Sequence, residues 1–452
     1  MYVVIVGAGE VGSYVAQILV DEGHEVALVD SDHAVTERVG ATIDALVLTG
    51  SGVQPAVLRR AGIERADLLL AVTAVDEVNL ITSMTARKHG PPEMRAVARI
   101  HQSPDAAGSP ALSAEDLGLD ALISPEEAIA SATMDVLRYS GSGEMRELAG
   151  GRLVLVGMDV GAESPLVHGT LAQVRRGLEE SFLVLAVQAQ EGLRIPTGSD
   201  RLHPGDRAFV LTTPGNVTEL AILSGYPWHH VRRVLIIGCG DTGMALASKL
   251  IAHGRATTII EQDAERAQAV ANALPHALVV HADASDPELL RDRIEDDRID
   301  GVVVLLPEPE KSLLIGMFVG SLGTGKVVVR CDQPGYVQLA NAAGIDAVLS
   351  PKRTMADALL RYVRTDAVES TFLLGNHEAE VLHFRIPDVP KRTELLRCRL
   401  EELPFPPGTL VGAVMRNGSV EIASGGTRLH PGDELLVVSR TGALGKLESL
   451  LS

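Results

Sequence analysis

Gly7, Gly9 and Gly12, followed by a carboxylate at Asp30, are the first residues of this 452-residue chain whose types and spacing could do chemistry, and Gly238, Gly240, Gly243 and Glu261 repeat them. In both groups the acidic residue stands 18 positions after the third glycine. Each glycine group directly follows a short apolar run, Val3–Val6 or Val234–Ile237, and opens a stretch with helical apolar spacing. In that context Gly-x-Gly-x-x-Gly has a mechanism. A strand turns tightly into a helix, and the glycines let the backbone approach a pyrophosphate at the helix N-terminus. Asp30 and Glu261 would accept hydrogen bonds from a ribose 2′-hydroxyl, which favours NAD(H) or an adenosine nucleotide over NADP(H). The competing reading is a βαβ turn without a ligand.

Further polar residues fall at the neighbouring strand ends. In the first copy they are Ser51 and Gly52 after the third strand, Thr73, Asp76 and Asn79 after the fourth, and Arg99 ending the fifth. The second copy has Asp283 and Ala284 after its third strand and Arg330 ending its fifth, but Pro309 and Ser312 where the first has Asp76 and Asn79. The two crevices therefore keep different polar groups, and the first is the better equipped. An arginine at the end of strand five reaches a phosphate or closes a structural ion pair; both readings stay open. The loops themselves carry Glu10 and Val11, or Asp241 and Thr242. An anion beside a pyrophosphate is unfavourable unless it turns away or shares a divalent cation, and Glu126 is a further candidate ligand for such an ion.

The elements that must position these residues alternate strand and helix through residues 1–140 and again through 229–366, so the expected fold class is α/β, with two Rossmann-like, doubly wound parallel sheets. A helix from about Glu126 to Tyr139, opened by Ser124-Pro125-Glu126, should leave the first sheet. Ser140–Gly151 reads as a Gly/Ser-rich linker. Residues 141–228 and 367–452 change texture to short alternating strands, as expected of small α+β subdomains. Each carries the hexapeptide Arg-Leu-His-Pro-Gly-Asp, at Arg201–Asp206 and Arg428–Asp433. Its Pro, Gly and Asp are turn formers, so His203 and His430 belong to hairpin turns rather than to a catalytic pair.

Composition narrows the function. Hydrophobic residues make up 46% of the chain but aromatics only 3%, so the cores should be aliphatic, as suits sheets buried on both faces. A formal net charge of −19 argues against nucleic acid as a partner. Cys239, Cys331 and Cys398 lack metal or disulfide spacing, the N-terminus lacks the marks of a signal peptide, and no apolar run is long enough to span a bilayer. A cytoplasmic location follows as the expectation. No Ser/His/Asp order, HExxH or P-loop accompanies the glycine groups, which favours binding without turnover. The alternative is a soluble NAD-dependent oxidoreductase of unrecognised substrate.

Taken together, Gly7-Ala8-Gly9-Glu10-Val11-Gly12, Val29-Asp30, Ala71-Val72-Thr73 with Asp76, Glu77 and Asn79, Ala98-Arg99-Ile100 and Ile123-Ser124-Pro125-Glu126-Glu127 resemble the TrkA family. These are the cytosolic regulatory subunits of bacterial and archaeal Trk potassium uptake systems, built from RCK (KTN) domains. The likeness covers the whole chain in the order RCK-N, RCK-C, RCK-N, RCK-C. It implies NAD(H) and ATP or ADP as ligands of the N-type lobes. It also implies a homotetramer whose eight units form a gating ring under a membrane-embedded Trk-type potassium transporter subunit. In similar proteins the helix after Ser124-Pro125 packs on a neighbouring lobe, which would put Glu126 near an interface and a cation. The second copy departs from that pattern with Lys352.

Overall fold

The runs richest in Val, Ile and Leu form the interiors of two parallel sheets. This computed structural model describes residues 1–101, 113–137, 142–149, 151–178, 181–189, 191–217, 219–225, 230–343, 345–363, 368–374, 378–387, 393–416, 418–440 and 443–451. The first sheet comprises β1 (Tyr2–Val6), β2 (Glu25–Asp30), β3 (Leu46–Thr49), β4 (Leu68–Ala71), β5 (Arg95–Arg99) and β6 (Ala121–Ile123), in the order β3-β2-β1-β4-β5-β6. All its pairings are parallel. Every residue of β1 and β4 is buried, because helices cover both faces. The chain reverses winding direction between β1 and β4, and a crevice opens there at the carboxyl ends of the strands.

Antiparallel strands follow: β7 (Ser142–Leu148), β8 (Leu153–Asp159), β9 (Phe182–Ala189), β10 (Gly192–Arg194) and β11 (Arg207–Thr212), in the order β10-β9-β11-β8-β7. The segment expected as a linker thus holds an edge strand, β7, anchored by buried Met145 and Leu148. The second parallel sheet repeats the first. It comprises β12 (Arg233–Ile237), β13 (Ala256–Glu261), β14 (Leu278–His281), β15 (Gly301–Val304), β16 (Val327–Arg330) and β17 (Ala347–Leu349), in the order β14-β13-β12-β15-β16-β17. The last sheet has β18 (Val368–Leu374), β19 (Ala379–Arg385), β20 (Thr409–Arg416), β21 (Ser419–Ile422) and β22 (Glu434–Arg440), ordered β18-β19-β22-β20-β21. The boundaries expected near residues 140, 228 and 366 lie outside the described residues.

The two halves exchange helices. Helix Pro125–Val136 leaves the first sheet, yet its Ile129, Ala130 and Val136 pack in the core of the second lobe with Leu246, Ala247 and Leu250. Helix Pro351–Leu360 leaves the second sheet and inserts Met355, Ala356, Leu359 and Leu360 among Val15, Leu19 and Val72 of the first. A serine caps each of these exit helices: Ser124 accepts from Glu127 N and Ser350 from Arg353 N, with proline in the first turn. The small sheets pair as well, sharing one core in which Leu155, Leu185 and Leu211 meet Val381, Leu436 and Val438. No helix among the described residues is long and apolar enough to cross a membrane.

Candidate functional site

The first glycine loop assigns a different task to each glycine. Gly7 has φ +108°, a left-handed conformation in which other residues are strained. A Cβ on Gly12 would stand 1.8 Å from the Gly7 carbonyl oxygen, so this glycine lets the helix Glu10–Asp21 lie against the strand it follows. Gly9 has neither constraint. Its φ is −67°, and a Cβ there would meet nothing within 4 Å. The bare backbone at Gly9 faces open space.

That space is a crevice of about 680 Å³ lined by Gly7, Gly9, Glu10 and Val11 of the loop, Asp30 and Asp32 after β2, Ser51 and Gly52 after β3, Thr73 after β4, and Arg99 of β5. Asp30 anchors the loop: one carboxylate oxygen accepts from Ala8 N at 2.7 Å and the other from Asp32 N at 2.9 Å. A carboxylate has about four acceptor sites, so two such bonds leave capacity for a hydroxyl. Arg99 Nη2 lies 3.2 Å from His101 Nε2, while its Nε is buried without a partner.

Asp76 and Asn79 sit beside the crevice rather than on its wall. Asn79 is fully buried, and its amide serves the backbone: Oδ1 accepts from Thr73 N and Thr73 Oγ1, while Nδ2 donates to the carbonyls of Thr73 and Arg99. It ties the ends of β4 and β5 together and so shapes the crevice without facing it. Asp76 accepts from His101 N at 2.9 Å and lies 2.7 Å from His101 Nδ1. Glu126 accepts a hydrogen bond from the Ser124 hydroxyl at 2.8 Å. Among the described residues no group of three or more His, Cys, Asp or Glu is placed to hold a metal ion, so the expected divalent cation finds no support.

In the second lobe Gly238 again has positive φ (+86°), and Glu261 repeats the anchor, accepting from Cys239 N at 2.9 Å and Asp263 N at 3.0 Å. Asp241 is exposed and Thr242 half-buried at the head of helix Asp241–Ala252. The surroundings differ from the first lobe. A Cβ on Gly240 would find Arg266 Nη1 at 4.0 Å, and Leu306 crowds Gly238 where the first copy has Thr73. Asp283 is paired with Lys311 at 3.2 Å, and hydrogen bonds from Ser285, aided by Lys311, hold its carboxyl below the usual carboxylate range. Ala284 is buried. Burial, reinforced by the Glu261 carboxylate, pushes the Cys239 thiol up to about 12, so it stays neutral and fills space.

The largest departure from the sequence reading concerns Arg330. Assigned by the repeat to the second crevice, it lines the first, together with Asp332, Pro351, Lys352 and Met355 of the same lobe. The exchanged exit helix brings Pro351, Lys352 and Met355 to this wall, and the end of β16 brings Arg330 and Asp332. Copy-by-copy reading could not find Asp332 and Lys352, because their placement depends on how the lobes pack. The replacement of Val35 and Val78 by Arg266 and Lys311, in contrast, was visible by aligning the copies.

In the hexapeptide turns, Asp206 accepts from His203 N at 2.9 Å and Asp433 from His430 N at 2.7 Å, while both histidines stay largely exposed. These are turns closed by the aspartate, as their composition implies.

The TrkA-N domain signature matches residues 3–125 and 234–351, and the TrkA-C domain signature matches 155–223 and 389–452. The chain is 31% identical to a Trk system potassium uptake protein TrkA homolog of Methanosarcina mazei over 99% of both chains. It is 30% identical to the TrkA homolog of Archaeoglobus fulgidus over the full length of both. In fold it is similar to the GsuK channel bound to NAD (TM-score 0.61, 16% identity, covering 100% of this chain and 78% of that one). It is similar also to the GsuK RCK domain (TM-score 0.61, 17% identity, 100% and 94% covered). With both domain signatures present twice and full-length relatives at this identity, the chain belongs to the TrkA family, the regulatory and non-enzymatic components of Trk potassium uptake.

Proposed function

We propose that the chain couples binding of NAD(H), ADP or ATP in its first crevice to potassium flux through a membrane-embedded Trk-type transporter subunit. It would act from the cytoplasmic side as a homotetrameric gating ring. The observation that carries the nucleotide reading is Gly9. Neither backbone conformation nor packing requires a glycine there, and close approach of a ligand does. The anchored Asp30 below it and Arg99 opposite suit a ribose and a phosphate. The solved GsuK channel, similar in fold, is one bound to NAD. Regulation then amounts to a coupling free energy between nucleotide and pore, typically about 1–3 kcal/mol. Membership of a family of regulators favours this over the oxidoreductase alternative.

The test is calorimetric titration of the full chain with NADH, ADP and ATP, repeated on Gly9→Val. The variant should keep the wild-type melting temperature and lose binding. Binding undiminished in Gly9→Val, or no binding to the wild type, would overturn the reading. Asp30→Ala should weaken binding too, but it also strips Ala8 N of its acceptor and is the less clean probe.

A further inference from the structure

The two exit helices hold equivalent places in the repeat but carry opposite charge. Aligned on Ser124-Pro125 and Ser350-Pro351, Glu126, Glu127 and Asp135 of the first stand where the second has Lys352, Arg353 and Arg361. Glu127 and Asp135 line one cleft of about 520 Å³ together with Arg353 and Arg361. The apolar faces differ far less: buried Ile129, Ala130 and Leu137 correspond to buried Met355, Ala356 and Val363. The receiving surfaces match the charges. In the second lobe, Lys249 of helix Asp241–Ala252 pairs with Glu127 at 2.8 Å, and Arg255 donates to the Leu137 carbonyl at 3.0 Å. Their counterparts in the first lobe are Ile18 and His24. That lobe instead presents the Tyr14 ring, whose centre lies 5.0 Å from the Lys352 amine, where the second lobe has Ala245. An aromatic face attracts a cation and repels an anion.

We propose that these charges decide which lobes pair: the acidic exit helix fits the cation-bearing second lobe, and lobes of the same kind from two copies of the chain are kept apart. Because the halves exchange equivalent helices, the contents of each excluded pair can be written down. Two second lobes would set Arg353 of one copy against Lys249 of the other, in the place of Glu127. Two first lobes would set Glu126 against the Tyr14 ring, in the place of Lys352. Each exchange turns an attraction into a repulsion at half-buried positions, while the apolar surface covered changes little. Apolar burial thus holds lobes together, and charge chooses the partner. In an assembly of several copies every lobe pair then contains one of each kind, so each first crevice receives its wall from a second lobe.

The test centres on Lys249→Glu in the full chain. This change opposes Glu127 within the chain and offers an opposite charge to Arg353 of another copy. Glu127→Arg/Lys249→Glu re-forms the pair within the chain with its charges reversed, and tethering favours that pair over one between copies. Lys249→Glu should lower the melting temperature by about 3 °C, and by less in high salt; the double variant should recover most of the loss. Mixed light- and heavy-isotope chains, cross-linked and mapped by mass spectrometry, report pairing between copies. Links from helix Pro351–Leu360 of one copy to helix Asp241–Ala252 of another should be absent in the wild type, appear in Lys249→Glu, and fall again in the double variant. A double variant no more stable than Lys249→Glu, or the same links in all three chains, would overturn the proposal.

Discussion

The two glycine loops have nearly the same backbone and very different surroundings. Both have a positive φ at the first glycine, an acidic anchor below the loop and an exposed carboxylate at the head of the helix. Above the first loop lies an open crevice with a basic wall supplied by the other lobe. Above the second lie Arg266, Leu306 and the Asp283–Lys311 pair, so that lobe satisfies its own charges. A glycine fingerprint therefore reports that a turn can accept a phosphate; the residues facing it decide whether the turn is left free to do so.

The strongest test of this asymmetry addresses the helix exchange that produces it. Leu359, fully buried, belongs by sequence to the second half but by packing to the first lobe. Leu359→Ala should cost about 4 kcal/mol. Hydrogen exchange should rise in β1, β2 and β4 rather than in the second sheet; a rise confined to β12–β17 would mean that the helices are not exchanged in solution. A comparable effect should come from Lys326, which stands at the foot of β16 where the first copy has Arg95. Lys326 is fully buried with its amine unpartnered, and burial, partly offset by the Asp346 carboxylate, pushes it down to about 8. Its folded-state value lies below its unfolded one, so the unfolded chain binds more protons between the two. Stability should therefore rise from about pH 8 towards pH 10.5, by at most about 3 kcal/mol from this residue. Lys326→Met should lack that rise in urea titrations at pH 7.5 and 9.5; an identical pH slope would refute the assignment.

Smaller effects separate the copies at single atoms. An added Cβ would come within 1.8 Å of the Gly7 carbonyl oxygen at Gly12, but 2.7 Å from that of Gly238 at Gly243. Gly12→Ala should cost about 3 kcal/mol by overpacking and Gly243→Ala less, as read from denaturation midpoints. Equal costs would show the second turn to be as tight as the first. In the small domains, buried Asp433 is held by Arg416 through two bonds of 2.7 and 2.8 Å, whereas among the described residues Asp206 has no ion pair with an arginine. Arg416→Met should thus destabilise by about 2 kcal/mol, chiefly by stranding the aspartate. A neutral result would mean that the His430 amide alone satisfies it.

Local sequence signals carried much of this architecture. Parallel strands announced themselves as short Val/Ile/Leu runs ending in glycine or an acid, and their alternation with helices implied the doubly wound parallel sheets that form. Asp30 and Glu261 were legible because a fixed spacing sets them under the loop. What escaped had a nonlocal cause. The segment Ser142–Leu148 is a strand because β8 offers it an edge, although its glycines and serines read as a linker. Asn79 suggested a ligand contact by its position, but burial turns its amide to the backbone. Arg330 was assigned to its own lobe because strand order says where a residue ends up in one sheet and nothing about which sheet stands opposite.

The exchanged helices also fix how the chain behaves on dilution. Each lobe completes the other's core within one covalent chain, so the two meet at an effective concentration in the millimolar range or above, regardless of how much protein is present. Two identical single-lobe chains would have to find each other, and any substitution would strike both partners at once. Here the pair is preassembled and its members are encoded separately, so one crevice can drift while the other is maintained. The divergence of Thr73 from Leu306, Val35 from Arg266 and Glu126 from Lys352 is the latitude that such tethering provides.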